Sequence, residues 1–132
     1  MATILRLFAL LLALAFAPSA RSAEEAVDVE LVLAVDVSRS MDVGERELQR
    51  QGYRDALRHP DVIGAIQSGL HGRIALSYVE WSGPGSESVV VPWRLVVDEA
   101  SAAGFAASIG PADPGGRFGT SISSVLIFAA AL

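Results

Sequence analysis

The segment Val29-Glu30-Leu31-Val32-Leu33-Ala34-Val35 sets six aliphatic side chains around a single carboxylate. It lacks the polar alternation of a strand with one wet face. The pattern predicts a strand covered on both faces, as in a parallel sheet flanked by helices. The run stops at Asp36. In open α/β sheets, ligands collect beyond the carboxyl ends of the strands, so this boundary is also the first place to look for a polar site.

The residues after Asp36 read as alternating helices and strands. Asp42 is positioned as an N-cap, with Glu45 three residues on to complete a capping box. A helix over about 43–58 follows, with Leu48, Gly52 and Ala56 along one stripe, and Pro60 ends it. Asp61 is positioned to cap a second short helix whose Val62, Ile63, Ile66 and Leu70 share a face. Two strand-like runs, 73–81 and 89–97, are joined by the turn-forming SGPGSE and predict an antiparallel hairpin. Pro92 cannot donate to a ladder, which puts the second of them at a sheet edge. Asp98 caps a further helix carrying Ala102, Phe105, Ala106 and Ile109, closed by Gly110-Pro111. After the loop PADPGGRFG, a last helix is expected from Thr120, with Ile122, Val125, Leu126 and Ala129 inward and Ile127 and Phe128 on its flank. A helix so apolar all round is expected to be buried. The order is β-α-β-β-α-α, an α/β fold. The helical pattern runs to Leu132 without a cap, which suggests a missing continuation.

Residues 1–22 have the form of a secretory signal peptide: Arg6, then the apolar run Leu7 to Phe16, then Pro18 and small residues at candidate cleavage positions. Removal after Ser22 leaves 110 residues with 8 basic side chains against 15 acidic ones, a net charge of −7. That balance repels phosphate backbones and argues against nucleic acid as a partner. It also leaves no membrane segment, so a periplasmic or secreted location is expected. The absence of cysteine removes disulfide, thiol and Cys-zinc chemistry. Every basic residue is Arg, which removes the P-loop and Schiff-base lysine chemistries. His59 and His71 are too few for a His-based zinc site.

What remains is oxygen chemistry. Asp36, Ser38 and Ser40 are spaced i, i+2, i+4 and can converge if the loop curls over the strand end. Thr120, after the glycine-rich loop containing Gly115, Gly116 and Gly119, is a candidate fourth oxygen. These are hard ligands suited to Mg²⁺, or to Mn²⁺ or Ca²⁺; Mg²⁺ takes oxygens at about 2.0–2.1 Å and usually keeps several waters. A single carboxylate leaves such a cation short of negative charge, so it would seek another. The plainer readings are that Thr120 is an N-cap, Ser38 and Ser40 cap the loop, and Asp36 forms a turn. Arg39 and Arg117 flank the site and would either recruit a carboxylate or serve as surface charge. Glu80 and Trp81 end their strand on the same side of the sheet if the strands run parallel; Trp81 and Trp93 are expected mainly in packing.

LVLAVDVSRS resembles the start of a von Willebrand factor type A domain, whose metal-ion-dependent adhesion site opens with Asp-x-Ser-x-Ser after the first strand. GGRFGTSISSVL is similar to that family's second site loop, and YVEWSG, VVVPW and GTSIS to a bacterial group of exported A-domain-like proteins of unknown function. The resemblance covers about 27–132, as the N-terminal part of such a domain. It implies a Rossmann-like three-layer α/β/α sandwich, cut short. It also implies direct metal ligation by Ser38 and Ser40, ligation by Thr120 in some states, and Asp36 acting through water. The family's further acid, after its fourth strand, has no counterpart here. The expected function is a metal-dependent protein-binding module whose partner offers a carboxylate, without turnover. The competing readings are a truncated structural domain that binds no metal, and an aspartyl-phosphate phosphatase-like hydrolase. The latter expects an acid two residues after Asp36, where this chain has Ser38. A serine hydrolase is disfavoured by the lack of a G-x-S-x-G elbow.

Overall fold

The computed structural model describes residues 25–112 and 118–132. The expected signal peptide and Gly115, Gly116 and Arg117 lie outside the described residues. β1 (Val29–Asp36) pairs in parallel with β2 (Ile74–Trp81), in a register running from Val29↔Ile74 to Asp36↔Trp81. β3 (Ser88–Val96) pairs antiparallel with β2, so the sheet order is β1-β2-β3 with β2 central. Four helices accompany it among the described residues: α1 (Val43–Leu57), α2 (Pro60–Gln67), α3 (Glu99–Ser108) and α4 (Ile122–Ala130). The architecture is mixed α/β. Its order is β-α-α-β-β-α-α, because the short α2 stands as an element of its own.

Burial follows position in the sheet. Along β2 every residue from Leu76 to Trp81 is buried, whereas in β1 only Val35 is, and Val29 and Leu31 are exposed. The expectation of a first strand covered on both faces is therefore corrected. β1 lies at the margin of the sheet, and among the described residues no strand pairs with its outer edge. The core joins Val35, Leu76, Tyr78, Val91 and Val96 of the sheet to Leu57 of α1, Ile63 and Ile66 of α2, and Ala102, Phe105 and Ala106 of α3. Hydrophobic burial on this scale contributes roughly 25 cal/mol per Å² of apolar surface removed from water.

The hairpin and the edge position of Pro92 match expectation, and the structure adds a detail. The β2–β3 register shifts between Leu76↔Arg94 and Tyr78↔Val91, so Pro92 and Trp93 together face Ser77. This bulge accommodates a residue without an N–H. The Ser77 hydroxyl, fully buried, donates to the Val91 carbonyl at 3.0 Å.

Helix boundaries agree better with the sequence than helix faces do. The α1 capping box is present, each of Asp42 and Glu45 accepting the other's backbone N–H at 2.8 Å. Its inward face is not the expected Leu48, Gly52, Ala56 stripe: Leu48 is 74% exposed. Arg46, Arg50 and Leu57 are buried instead, and Tyr53 packs against the core. The arginines face inward because fixed acceptors await them there. α2 is capped by His59, whose Nδ1 accepts from the Asp61 N–H at 3.2 Å, rather than by Asp61. Leu70 lies past the end of α2 and is exposed, so it does not extend the Ile63/Ile66 face. The last helix begins at Ile122 with Ser121 as N-cap, one residue later than the Thr120 cap reading. The expectation that it is buried is also corrected. Val125 is buried, but Ile122, Leu126 and Ile127 are exposed, because α4 packs chiefly against the marginal strand β1.

Asp28 ties the start of β1 to the loop before β2. Its carboxylate accepts the backbone N–H groups of His71 at 2.9 Å and Arg73 at 3.2 Å, while its own N–H donates to the Arg73 carbonyl at 2.9 Å. The His71 N–H, above the other causes, holds the Asp28 carboxyl below its ordinary value. A depressed folded-state pKa means this contribution is present above the unfolded pKa of about 3.9 and is lost as pH falls through the folded value. Asp28→Asn should therefore lower the urea midpoint at pH 7 and leave a smaller loss of stability between pH 5 and pH 2 than the parent shows. Equal pH profiles for the two proteins would refute this role.

Candidate functional site

The Asp36 turn is built by local bonds at the carboxyl end of β1. Strand pairing continues one residue past Asp36, with the Val37 N–H donating to the Trp81 carbonyl at 2.9 Å. Asp36 Oδ1 then accepts the Ser38 N–H at 2.7 Å, which folds the chain back over the strand end. The Ser38 and Ser40 hydroxyl oxygens lie 2.9 Å apart, and the Met41 N–H closes the turn on the Ser38 carbonyl at 3.1 Å. Ser38 is buried and Ser40 is exposed. Arg46 of α1 donates to the Met41 carbonyl, fastening the turn to the helix that follows it. Three of the four sequence-predicted oxygen sources are thus gathered in one turn.

The fourth arrives on a separate segment. The Ser121 N–H donates to the Ser82 carbonyl at 2.8 Å, immediately beyond β2. The Arg39 guanidinium carbon lies 4.2 Å from the centre of the Phe118 ring, a cation–π contact between the two segments. Thr120, which is exposed, therefore sits on a segment docked at the same end of the sheet as Asp36. The arrangement is rich in hydroxyls and poor in carboxylates. Among the described residues there is no group of three or more His, Cys, Asp or Glu able to hold a metal ion.

Glu80 ends β2 at the same end of the sheet as Asp36, as the parallel pairing requires, but its side chain takes the opposite face. Register pairs share a face of the sheet and faces alternate along a strand. Glu80 therefore lies with Val35 on the face packed by α1, α2 and α3, while Trp81 lies with Asp36 on the other. The Glu80 carboxylate is buried in an ion pair with Arg50, itself buried. Trp81 is buried, in line with a packing role. Tyr78, also fully buried, makes an edge-on contact with Tyr53 at 5.6 Å, and burial pushes its phenol well above the ordinary range.

The arginine row on α1 is what sequence reasoning missed. Arg50 Nη1 donates to the carbonyls of Ile109 at 2.7 Å, Gly110 at 3.3 Å and Pro111. Arg54 Nη1 donates to the Gly110 carbonyl at 2.6 Å, and Glu47 accepts the Ala112 N–H at 2.9 Å. One helix face thus holds the Asp36 turn through Arg46 and the chain leaving α3 through Arg50, Arg54 and Glu47. The available signal was Arg46, Arg50 and Arg54 at fourfold spacing, hidden because charged residues are normally assigned to the wet face.

A family model described as "Protein of unknown function (DUF1194)" matches residues 26–132, and the chain belongs to that family. No curated protein and no solved structure matches it.

Removing one member of a buried ion pair leaves the other charge uncompensated, typically costing about 3–5 kcal/mol. Glu80→Leu should lose stability on that scale in urea denaturation, with Glu80→Gln, which keeps an acceptor for Arg50, losing clearly less. Equal small losses in both variants would show that the carboxylate is not holding Arg50.

Proposed function

We propose that this DUF1194 protein is an exported protein-binding module that works through a divalent cation and performs no catalytic turnover. The cation is Mg²⁺, with Mn²⁺ or Ca²⁺ as substitutes. The observation that carries the reading is the gathering of Asp36, Ser38 and Ser40 in one turn at the carboxyl end of β1, with the two hydroxyl oxygens 2.9 Å apart. Hard, neutral oxygens with one anionic neighbour suit a hard cation. Ser38 and Ser40 would hold it directly, Thr120 would join in some states, and Asp36 would act through a water. A bound cation supplies a Lewis-acidic position for one further oxygen. Because the site's own charge is a single carboxylate, the partner is a protein that brings a second one. Arg39, beside the turn, adds positive charge for the same encounter.

Support for the wider reading comes from the same features that suggest a von Willebrand factor type A relationship. They are a parallel β1–β2 pair connected through α1 and α2, and an Asp-x-Ser-x-Ser turn at its carboxyl end. A three-layer Rossmann-like arrangement belongs to this proposal. So does a periplasmic or secreted location after loss of residues 1–22, with neither nucleic acid nor membrane as partner.

The absence of turnover rests on what surrounds the hydroxyls. His59 caps α2 beyond the far end of α1, a helix of 15 residues and so about 22 Å long. His71 precedes the start of β2, while the turn lies at that strand's finish. Neither is placed as a general base for Ser38 or Ser40.

A second reading is favoured by the shortage of carboxylates among the described residues: a structural domain of the same fold that takes no metal. Calorimetric titration of the purified chain with Mn²⁺ separates the two. Saturable uptake, weakened at least about tenfold in Asp36→Ala, is expected from the metal-dependent module. A parent chain that takes up no Mn²⁺ at millimolar concentration would establish the structural reading.

A further inference from the structure

We infer that Gly83 and Gly119 are positioning residues of the candidate site, an interlocked pair that sets where Thr120 stands relative to Ser38 and Ser40. The inference rests on the cation-binding reading above. A Cβ at Gly83 would lie 2.6 Å from the Phe118 carbonyl oxygen and 3.5 Å from Gly119 Cα. Conversely, a Cβ at Gly119 would lie 3.1 Å from Gly83 Cα, and Gly119 holds a left-handed φ of 85°. A Cβ at Gly83 is thus barred by the Phe118 carbonyl, and one at Gly119 would crowd Gly83 Cα on a backbone that already favours glycine.

The pair is anchored on both sides. The turn containing Gly83 is braced by its serines. The Ser82 N–H donates to Ser86 Oγ at 3.0 Å, the two hydroxyl oxygens lie 2.9 Å apart, and the Ser86 N–H donates to the Gly83 carbonyl at 3.2 Å. On the other strand of the interlock, the Ser121 N–H is bonded to the Ser82 carbonyl, and the Ser124 hydroxyl donates to the Glu87 carboxylate. The Asp36 turn reads its own position from the preceding residue, through Val37 N–H and the Trp81 carbonyl. Consecutive residues Trp81, Ser82 and Gly83 therefore register both oxygen-bearing segments. Relieving the clash of a methyl with the Phe118 carbonyl shifts the 118–121 segment and moves Thr120 relative to the Ser38–Ser40 pair, with the Arg39–Phe118 contact the one link between them that also adjusts. Nothing in the hydrogen bonding of Asp36 or Ser38 is touched by that shift.

The test is a double-mutant cycle on Mn²⁺ affinity, measured by calorimetry on the full chain with Gly83→Ala, Thr120→Val and the two combined. Displaced supports of metal ligands typically cost about 10–100-fold in affinity. Gly83→Ala should fall in that range, Thr120→Val likewise, and the double variant should bind no more weakly than Thr120→Val alone, because both act through one hydroxyl. Gly119→Asn serves as the second probe: Asn tolerates the left-handed backbone, so it tests the contact with Gly83 and carries the inference if Gly83→Ala does not fold. Affinities within twofold of the parent in both glycine variants, or losses that multiply in the combined variants, would overturn the positioning role while leaving the metal site standing. A parent chain that takes up no Mn²⁺ overturns the metal reading and this inference together.

Discussion

The ion pair between Arg50 and Glu80 is the constraint around which the rest of the structure is arranged. The desolvation of two opposite charges offsets most of their attraction, so the hydrogen bonds that accompany the pairing decide whether it holds. Glu80 accepts from Arg50 Nη2 and the carbonyls at 109–111 accept from Nη1, while Nε is buried without a partner. Satisfying that arrangement requires α1 to turn its arginine face inward, β2 to present Glu80 toward the helices, and the chain after α3 to pass close by. Three elements distant in sequence are thereby placed together at the same end of the sheet as the Asp36 turn.

This also explains which parts of the fold could be read in the sequence. Strand positions, the α1 capping box, the hairpin and the edge status of Pro92 are local properties, written in run length, cap residues and imino chemistry. They agree with the structure to within a residue or two. Helix orientation is a tertiary property. Leu48, Gly52 and Ala56 look like a core stripe only if arginine is assumed to face water, and Arg50 shows why that assumption fails when acceptors are already fixed. The exposure of β1 and α4 was equally hidden, because an aliphatic run reports what a segment prefers to touch and not whether anything lies within reach.

At the candidate site the boundary falls in the same place. Asp36, Ser38 and Ser40 are close in sequence, so a single turn suffices to assemble them, and their spacing announces it. Thr120 depends on how a distant segment docks. Of the residues responsible, Ser82 and Gly83 belong to a run of turn formers and Gly119 to a glycine-rich loop, and neither pattern says which segment meets which. The strand-end position of Glu80 follows from the parallel pairing, but its face does not: without the register Val35↔Glu80, parity along β2 cannot be assigned, and the one-residue difference between Glu80 and Trp81 decides which face each occupies.

The two margins of the sheet are unlike. β3 carries a ring that cannot donate and a bulge that disrupts its ladder, both of which discourage another strand from joining. β1 has neither device; its eight residues pair with β2 in an unbroken register, with Glu30 as the sole charge before Asp36. Enlargement of the sheet by strand addition is therefore directional. The backbone groups open to further pairing lie along β1, the strand that carries the serine turn at its carboxyl end.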